Sequence, residues 1–227
     1  MIKMSTVFFI KWVGLGAFFL ATAIPVHAEE PPAMPEPGVY IIPEDSQSFT
    51  PEMKAADKKE RAEMLSQGYM NATDDEVEGL ERYAREKKMG HIRPVKEIDG
   101  KTTFKLATGN SKQELKLVGA IGHGADVDGK WTMGTRFFTT NRGTTVTLEE
   151  WDFTVTGGGV YISQEAINAD INGHPGILEV KQSPSGKAVT TLSWFTDQKG
   201  YTLTTSENVN KKGTLQEFID LAKSVQE

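Results

Sequence analysis

The chain contains no cysteine in 227 residues. That absence removes disulfide staples, thiol catalysis, cysteine-bound metals and the acylated cysteine of a bacterial lipoprotein, so the fold must rest on an ordinary hydrophobic core. Histidine is nearly as scarce, with four in all, and a multi-histidine metal centre would require His91, His123 and His174 to converge. The sequence has no Gly-x-Ser-x-Gly elbow, no His-Glu-x-x-His and no glycine-rich phosphate loop ahead of a helix. The common nucleophile, zinc-protease and nucleotide signatures are therefore missing. So is an excess of positive charge: the formal balance is −6, which argues against nucleic acid and anionic lipid as nonspecific partners.

A long apolar run occurs once. "WVGLGAFFLATAI" follows Lys3 and Lys11 and leads to Val26-His27-Ala28; it is short for a membrane span and carries the small-residue spacing of a cleavage site. Residues 1–28 thus read as a signal peptide, which predicts a periplasmic or secreted protein with no transmembrane span after cleavage. Its loss leaves 199 residues and, since it holds two lysines and no acid, a formal charge of −8. Residues 29–49 form a proline-rich leader, "EEPPAMPEP", in which "GVYII" reads as a short edge strand stopped by Pro43.

Residues 50–90 carry the marks of a helical hairpin. Thr50-Pro51-Glu52 is a helix start, with a cap, a first-turn proline and an acid at the positive end of the dipole, and this helix runs to about Gln67. Thr73-x-x-Glu76 is a capping box for a second helix ending near Gly90, across a loop at residues 68–72.

From residue 91 the pattern turns to period two. Asp99-Gly100 in "VKEIDGKTTFKLA" is a hairpin signal, and the segments "QELKLVG", "KWTMGTRFFTT", "TTVTLEEWDFTV", "GVYIS", "GILEVKQ", "KAVTTLSWF" and "YTLTTS" follow as strands between Gly, Asn, Asp and Pro turns. Strands in succession imply an antiparallel sheet. Thr214-x-x-Glu217 then caps a terminal helix whose Leu215, Phe218, Ile219, Ala222 and Val225 share a face. The expected class is α+β: a curved antiparallel sheet over residues 91–227, a helical hairpin before it and a C-terminal helix packed on one sheet face.

Strand phase sorts the aromatics. A loop at residues 197–200 pairs Thr196 with Tyr201 and Trp194 with Leu203, placing Leu192, Trp194, Tyr201 and Leu203 on a core face and Phe195 on the other. A loop at residues 183–186 sets Val180 opposite Val189 and Leu178 opposite Thr191, on the Phe195 side. Leu178, Val180, Val189 and Phe195 then form a second apolar face and the candidate ligand-binding set, to be covered by one of the chain's own helices, a partner or a ligand. In "TTVTLEEWDFTV", Val146 and Leu148 are out of step with Trp151, Phe153 and Val155, which predicts a bulge or break at Glu149-Glu150.

The chemical candidates are few. Asp126-Val127-Asp128-Gly129 resembles part of a calcium loop, but the twelfth position from Gly124 is Thr135 instead of glutamate, so a turn is the preferred reading. His123 beside Asp126 and Asp128, with Glu149 or Glu150, is the candidate catalytic set for a hydrolase or metal-assisted enzyme. "TGGGV" and His174-Pro175 read as turns. No metal site and no cofactor is assigned.

"INGHPG", "LSW", "YTL" and the helix ending "FIDLAKSV" give residues 171–225 a pattern that resembles the C-terminal part of an uncharacterised bacterial extracytoplasmic domain. That domain is related to the carrier fold of lipoprotein-localisation factors and periplasmic sigma-factor regulators. The resemblance implies a curved sheet whose concave side holds helices, an acyl chain or a peptide, and it brings no catalytic residue. The leading expectation is an exported noncatalytic binding or accessory module offering an apolar groove to a lipid or an envelope protein. The alternatives are the enzyme above and a purely structural envelope protein with a fully packed sheet.

Overall fold

A computed structural model describes residues 36–46, 49–78, 92–109 and 115–226. The expected signal peptide, residues 29–35 and 47–48 of the leader, and the expected second helix beyond residue 78 lie outside the described residues.

Two three-stranded meanders build the main sheet. The first comprises β4 (Leu115–Val127), β5 (Lys130–Thr140) and β6 (Thr145–Asp152); the second comprises β9 (His174–Gln182), β10 (Ala188–Phe195) and β11 (Lys199–Thr205). They join through an antiparallel β6–β11 pair, and the sheet continues past β9 with the two-residue β2 (Met70–Asn71), which runs parallel to it. The sheet is mostly antiparallel and does not close into a barrel. Between the meanders the chain forms β7 (Gly159–Ser163), which takes β1 (Gly38–Ile42) as a parallel partner, and β8 (Ala169–Ile171), which pairs with β9. The expected edge strand at "GVYII" is thus β1, stacked through Tyr40 on Tyr161 at 5.2 Å. A short β3 (Thr108–Gly109) pairs with the terminal β12 (Val225–Gln226).

Helix α1 (Pro51–Gln67) starts at Thr50, whose hydroxyl accepts from the Met53 amide, and ends at Gly68 in the left-handed region. The capping box at Thr73 and Glu76 forms in both directions and opens α2 (Asp74–Val77). The loop between them contains β2, so the two helices are tied to the β9 edge of the sheet. The Asp99-Gly100 hairpin does not form. Residues there make α3 (Val95–Asp99), because Ile98 is more valuable buried against Leu106 and Ala120 than in a strand, and the Asp99 carboxylate accepts the Leu106 amide at 3.1 Å. After β11, Asn208 caps a short α4 (Val209–Lys212) that closes at Gly213, and α5 (Leu215–Lys223) follows. At α5 the expected capping box is absent: Thr214 makes no side-chain cap bond and its buried hydroxyl has no protein partner.

One face of the sheet is the main core. Leu178, Val180, Leu192, Trp194, Tyr201, Leu203, Val146 and Leu148 lie beneath Phe218, Leu221 and Ala222 of α5, while Leu106, Ile98 and Phe104 pack near Ala120 and Trp131 at the β4–β5 end. Trp194 and Tyr201 stack at 5.1 Å. Each large side chain buried there contributes roughly 1.5–3 kcal/mol. The second face has an apolar cluster at one end, where Phe195 meets Phe153, Val160 and Ile162 with Val39, Trp151 and Ile177 around them, and it also buries Phe137 of β5.

Candidate functional site

β6 runs without a bulge, contrary to the phase argument. Thr147, Glu149 and Trp151 face one side and Val146, Leu148 and Glu150 the other, in unbroken register with both neighbours. The apparent slip arises because a charged residue, Glu150, fills a core position. It is 0% exposed, receives the Arg136 guanidinium at 3.0 Å and the Ala107 amide at 2.8 Å, and so satisfies the rule that a buried charge must be paired. Burial pushes the Glu150 carboxyl up, and Arg136 pulls it part of the way back.

Glu149, on the opposite face, meets His123. Thr135 of β5 is cross-strand to Glu149 and lies between the two: its hydroxyl is 2.8 Å from His123 Nε2 and 3.3 Å from the Glu149 carboxylate, with Nε2 and that carboxylate 3.5 Å apart. His123 is aimed by a bulge in β4 between His123 and Asp126, where Gly124 takes a φ of 89° and the Ala125 amide turns to Thr132 Oγ1. A side chain on Gly124 would collide with Met133 and Thr132. The side chains of His123 and Glu149 keep 33% and 25% of their exposure, so solvent reaches both.

Burial lowers the His123 pKa and raises that of Glu149. Both shifts favour uncharged forms. Thr135 has one proton, so it donates to Glu149 while accepting from His123 Nε2–H, or donates to Nε2 while accepting from a protonated Glu149. The set can therefore hold one proton at either end and present it, or its absence, to a bound group. Burial, which opposes charge on both groups, outweighs the mutual attraction of an imidazolium–carboxylate pair.

Asp126 and Asp128 serve a different purpose. They belong to the β4–β5 hairpin, in which Asp128 and Gly129 both have positive φ (53° and 77°), a type I′ turn, and Asp126 Oδ1 accepts the Gly129 amide at 2.9 Å. The preferred turn reading describes this loop, and His123 finds its carboxylate on β6 instead. The candidate ligand set is also divided. In the observed register Val180 is opposite Thr190, Leu178 is opposite Leu192 and Val189 is opposite Lys181. Leu178 and Val180 therefore belong to the core under α5, while half-buried Val189 and Phe195, 7% exposed, lie on the other face. The four do not form one groove.

Thr135 carried no signal in the sequence beyond strand alternation, since its role depends on three strands lying side by side. Among the described residues no three His, Asp or Glu side chains converge as metal ligands, and no helix is long and apolar enough to cross a membrane. No family model, curated protein or solved structure matches the chain.

Proposed function

We propose that the chain is an exported, noncatalytic binding or accessory module that engages a polar peptide segment of an envelope protein through the sheet face bearing His123, Thr135 and Glu149. The observation that carries this reading is the contrast between the two faces. The apolar face is filled from within, with Val180, Leu192 and Ala222 all 0% exposed, so an acyl chain has no groove at Leu178 and Val180. The other face sets partly exposed polar groups beside one another, including Ser193 with Thr202 and His123 with Glu149. Such groups suit backbone amides and carbonyls better than a lipid tail.

Native mass spectrometry of protein purified from its host tests this. A copurifying polypeptide that is lost on replacing His123 with Ala and Glu149 with Gln is expected; a copurifying acyl ligand, or a partner indifferent to both changes, would overturn it. The shared proton at Thr135 favours one other reading, an enzyme using His123 and Glu149 for acid–base work. In that case His123→Ala abolishes a turnover while leaving the melting temperature nearly unchanged.

A further inference from the structure

The chain has one Asn-Gly pair, Asn172-Gly173. Ile171 and His174 close the β8–β9 hairpin, so this pair is its two-residue loop, and both residues have positive φ (56° and 88°) as a type I′ turn requires. Both are exposed, while Ile171 beside them is 1% exposed and belongs to the core beneath α5. The loop is tied at two points. The Gly173 amide donates to Asp170 Oδ1 at 3.1 Å, and Asn172 Nδ2 donates to the Lys223 carbonyl at 2.9 Å. Lys223 is the last residue of α5, so its carbonyl lies in the final turn, where no later helical amide serves it and an outside donor does. Asn172 is thus a side-chain clasp on the C-terminal end of the helix that covers the main core.

We propose that Asn172-Gly173 is a spontaneous modification site whose reaction opens this clasp. The Gly173 nitrogen attacks Asn172 Cγ and gives up its proton to the Asp170 carboxylate that already accepts it. An N–Cγ bond forms, the Cγ–Nδ2 bond breaks, and Nδ2 leaves as ammonia with that proton. Water then opens the cyclic imide at either carbonyl, leaving aspartate or isoaspartate at residue 172, and no oxidant or cofactor enters. Glycine at 173 makes the ring closure accessible, because no Cβ stands beside the attacking nitrogen. The product cannot hold α5. A carboxylate has no hydrogen to give the Lys223 carbonyl, and it sets a negative charge at the negative end of the α5 dipole, near the carboxylate of Asp170. The consequence falls on Phe218, Leu221 and Ala222, whose cover of the main core depends on α5 staying in place. The chain therefore carries a slow, one-way loosening of a single helix that needs no partner and leaves the His123 face untouched.

The test uses the full chain alone, incubated near neutral pH and sampled over days. Peptide mass spectrometry, with enzymatic methylation of isoaspartate, should locate product at residue 172. It should form on the order of tenfold faster there than at Asn141 or Asn210, which are also exposed but precede Arg142 and Lys211. Asp170→Asn keeps an acceptor for the Gly173 amide but weakens it as a base, and should slow the reaction. Asn172→Asp tests the clasp itself. Asp-Gly suits the same turn, so the hairpin survives, while the amides of Phe218 to Ser224 should exchange hydrogen about tenfold faster than in the parent. Modification at 172 no faster than at Asn141 and Asn210, a rate indifferent to Asp170→Asn, or α5 exchange unaltered in Asn172→Asp would overturn the proposal.

Discussion

Arg136→Met isolates the buried charge that misled the strand-phase reading. The substitution keeps length and apolar bulk but removes the guanidinium 3.0 Å from Glu150, which has no solvent contact. Burial already pushes Glu150 up against the pull of Arg136, so losing Arg136 pushes it further. Removing one partner of a buried pair costs about 3–5 kcal/mol while the survivor is charged. At roughly 2–4 °C per kcal/mol for a chain of this size, the melting temperature should fall by about 6–20 °C at pH 8. A raised folded-state carboxyl costs nothing while it is protonated, so the loss should be smaller at pH 5 than at pH 8, because lower pH favours the protonated form of Glu150. Adding Glu150→Gln should restore stability at pH 8 to within about 1 kcal/mol of the parent, because a neutral amide needs no counter-charge and still accepts the Ala107 amide. Thermal melts of the parent, the single and the double variant at both pH values decide the matter. Equal losses at pH 5 and pH 8, or no rescue by Glu150→Gln, would refute the assignment of Glu150 as a charge held in the core by Arg136.

Three smaller perturbations follow from the same geometry. Gly129→Ala meets open space but must adopt a φ of 77°, and should cost about 1 kcal/mol in a urea melt, whereas Asp128→Asn, also suited to the type I′ turn, should be neutral. Thr214→Val removes a buried hydroxyl with no protein partner and should raise stability by about 1 kcal/mol in the same assay. His123 should titrate below 6.5 by NMR, burial being the cause. Its folded-state value is lowered, so the associated stability is present above 6.5 and is lost as pH falls.

The strand segments after residue 112 were readable because alternation and turn residues agree there, and "KWTMGTRFFTT" and "GVYIS" coincide with β5 and β7 residue for residue. Register was harder, and parity decided which errors mattered. The β10–β11 turn closes across Thr196 and Lys199, two residues shorter than the loop at 197–200, and pairs Trp194 with Tyr201. A shift of two leaves every side chain on its expected face, so Leu192, Trp194, Tyr201 and Leu203 remain core. The β9–β10 turn instead runs from Ser183 to Lys187, with Gly186 left-handed at φ 88°. Closing there leaves three residues in the loop where four were expected, and that one-residue difference reverses Leu178 and Val180 relative to Phe195, and with them the expected apolar groove. The α3 segment failed for a different reason: Asp-Gly is a turn signal in either context, and burial of Ile98, a tertiary contact, selects the helix.

The same parity joins the core pair to the polar site. Arg136 faces the core only if Thr135 faces away from it, and Glu150 faces the core only if Glu149 faces away; the β5–β6 register that sets Thr135 opposite Glu149 also brings Arg136 within reach of Glu150. A one-residue slip between these strands would strand two charges in the wrong environments at once, burying Glu149 without a guanidinium and exposing the pair that holds β5 to β6. His123 could be singled out from its rarity, whereas its partner could not, because Glu149 becomes distinguishable from Glu150 only when the core is allowed to contain a carboxylate. Once Glu150 is assigned inward, alternation turns Glu149 outward, the β4–β5–β6 meander brings it to His123, and the acidic doublet divides into one residue that secures the register and one that meets His123 on the opposite face.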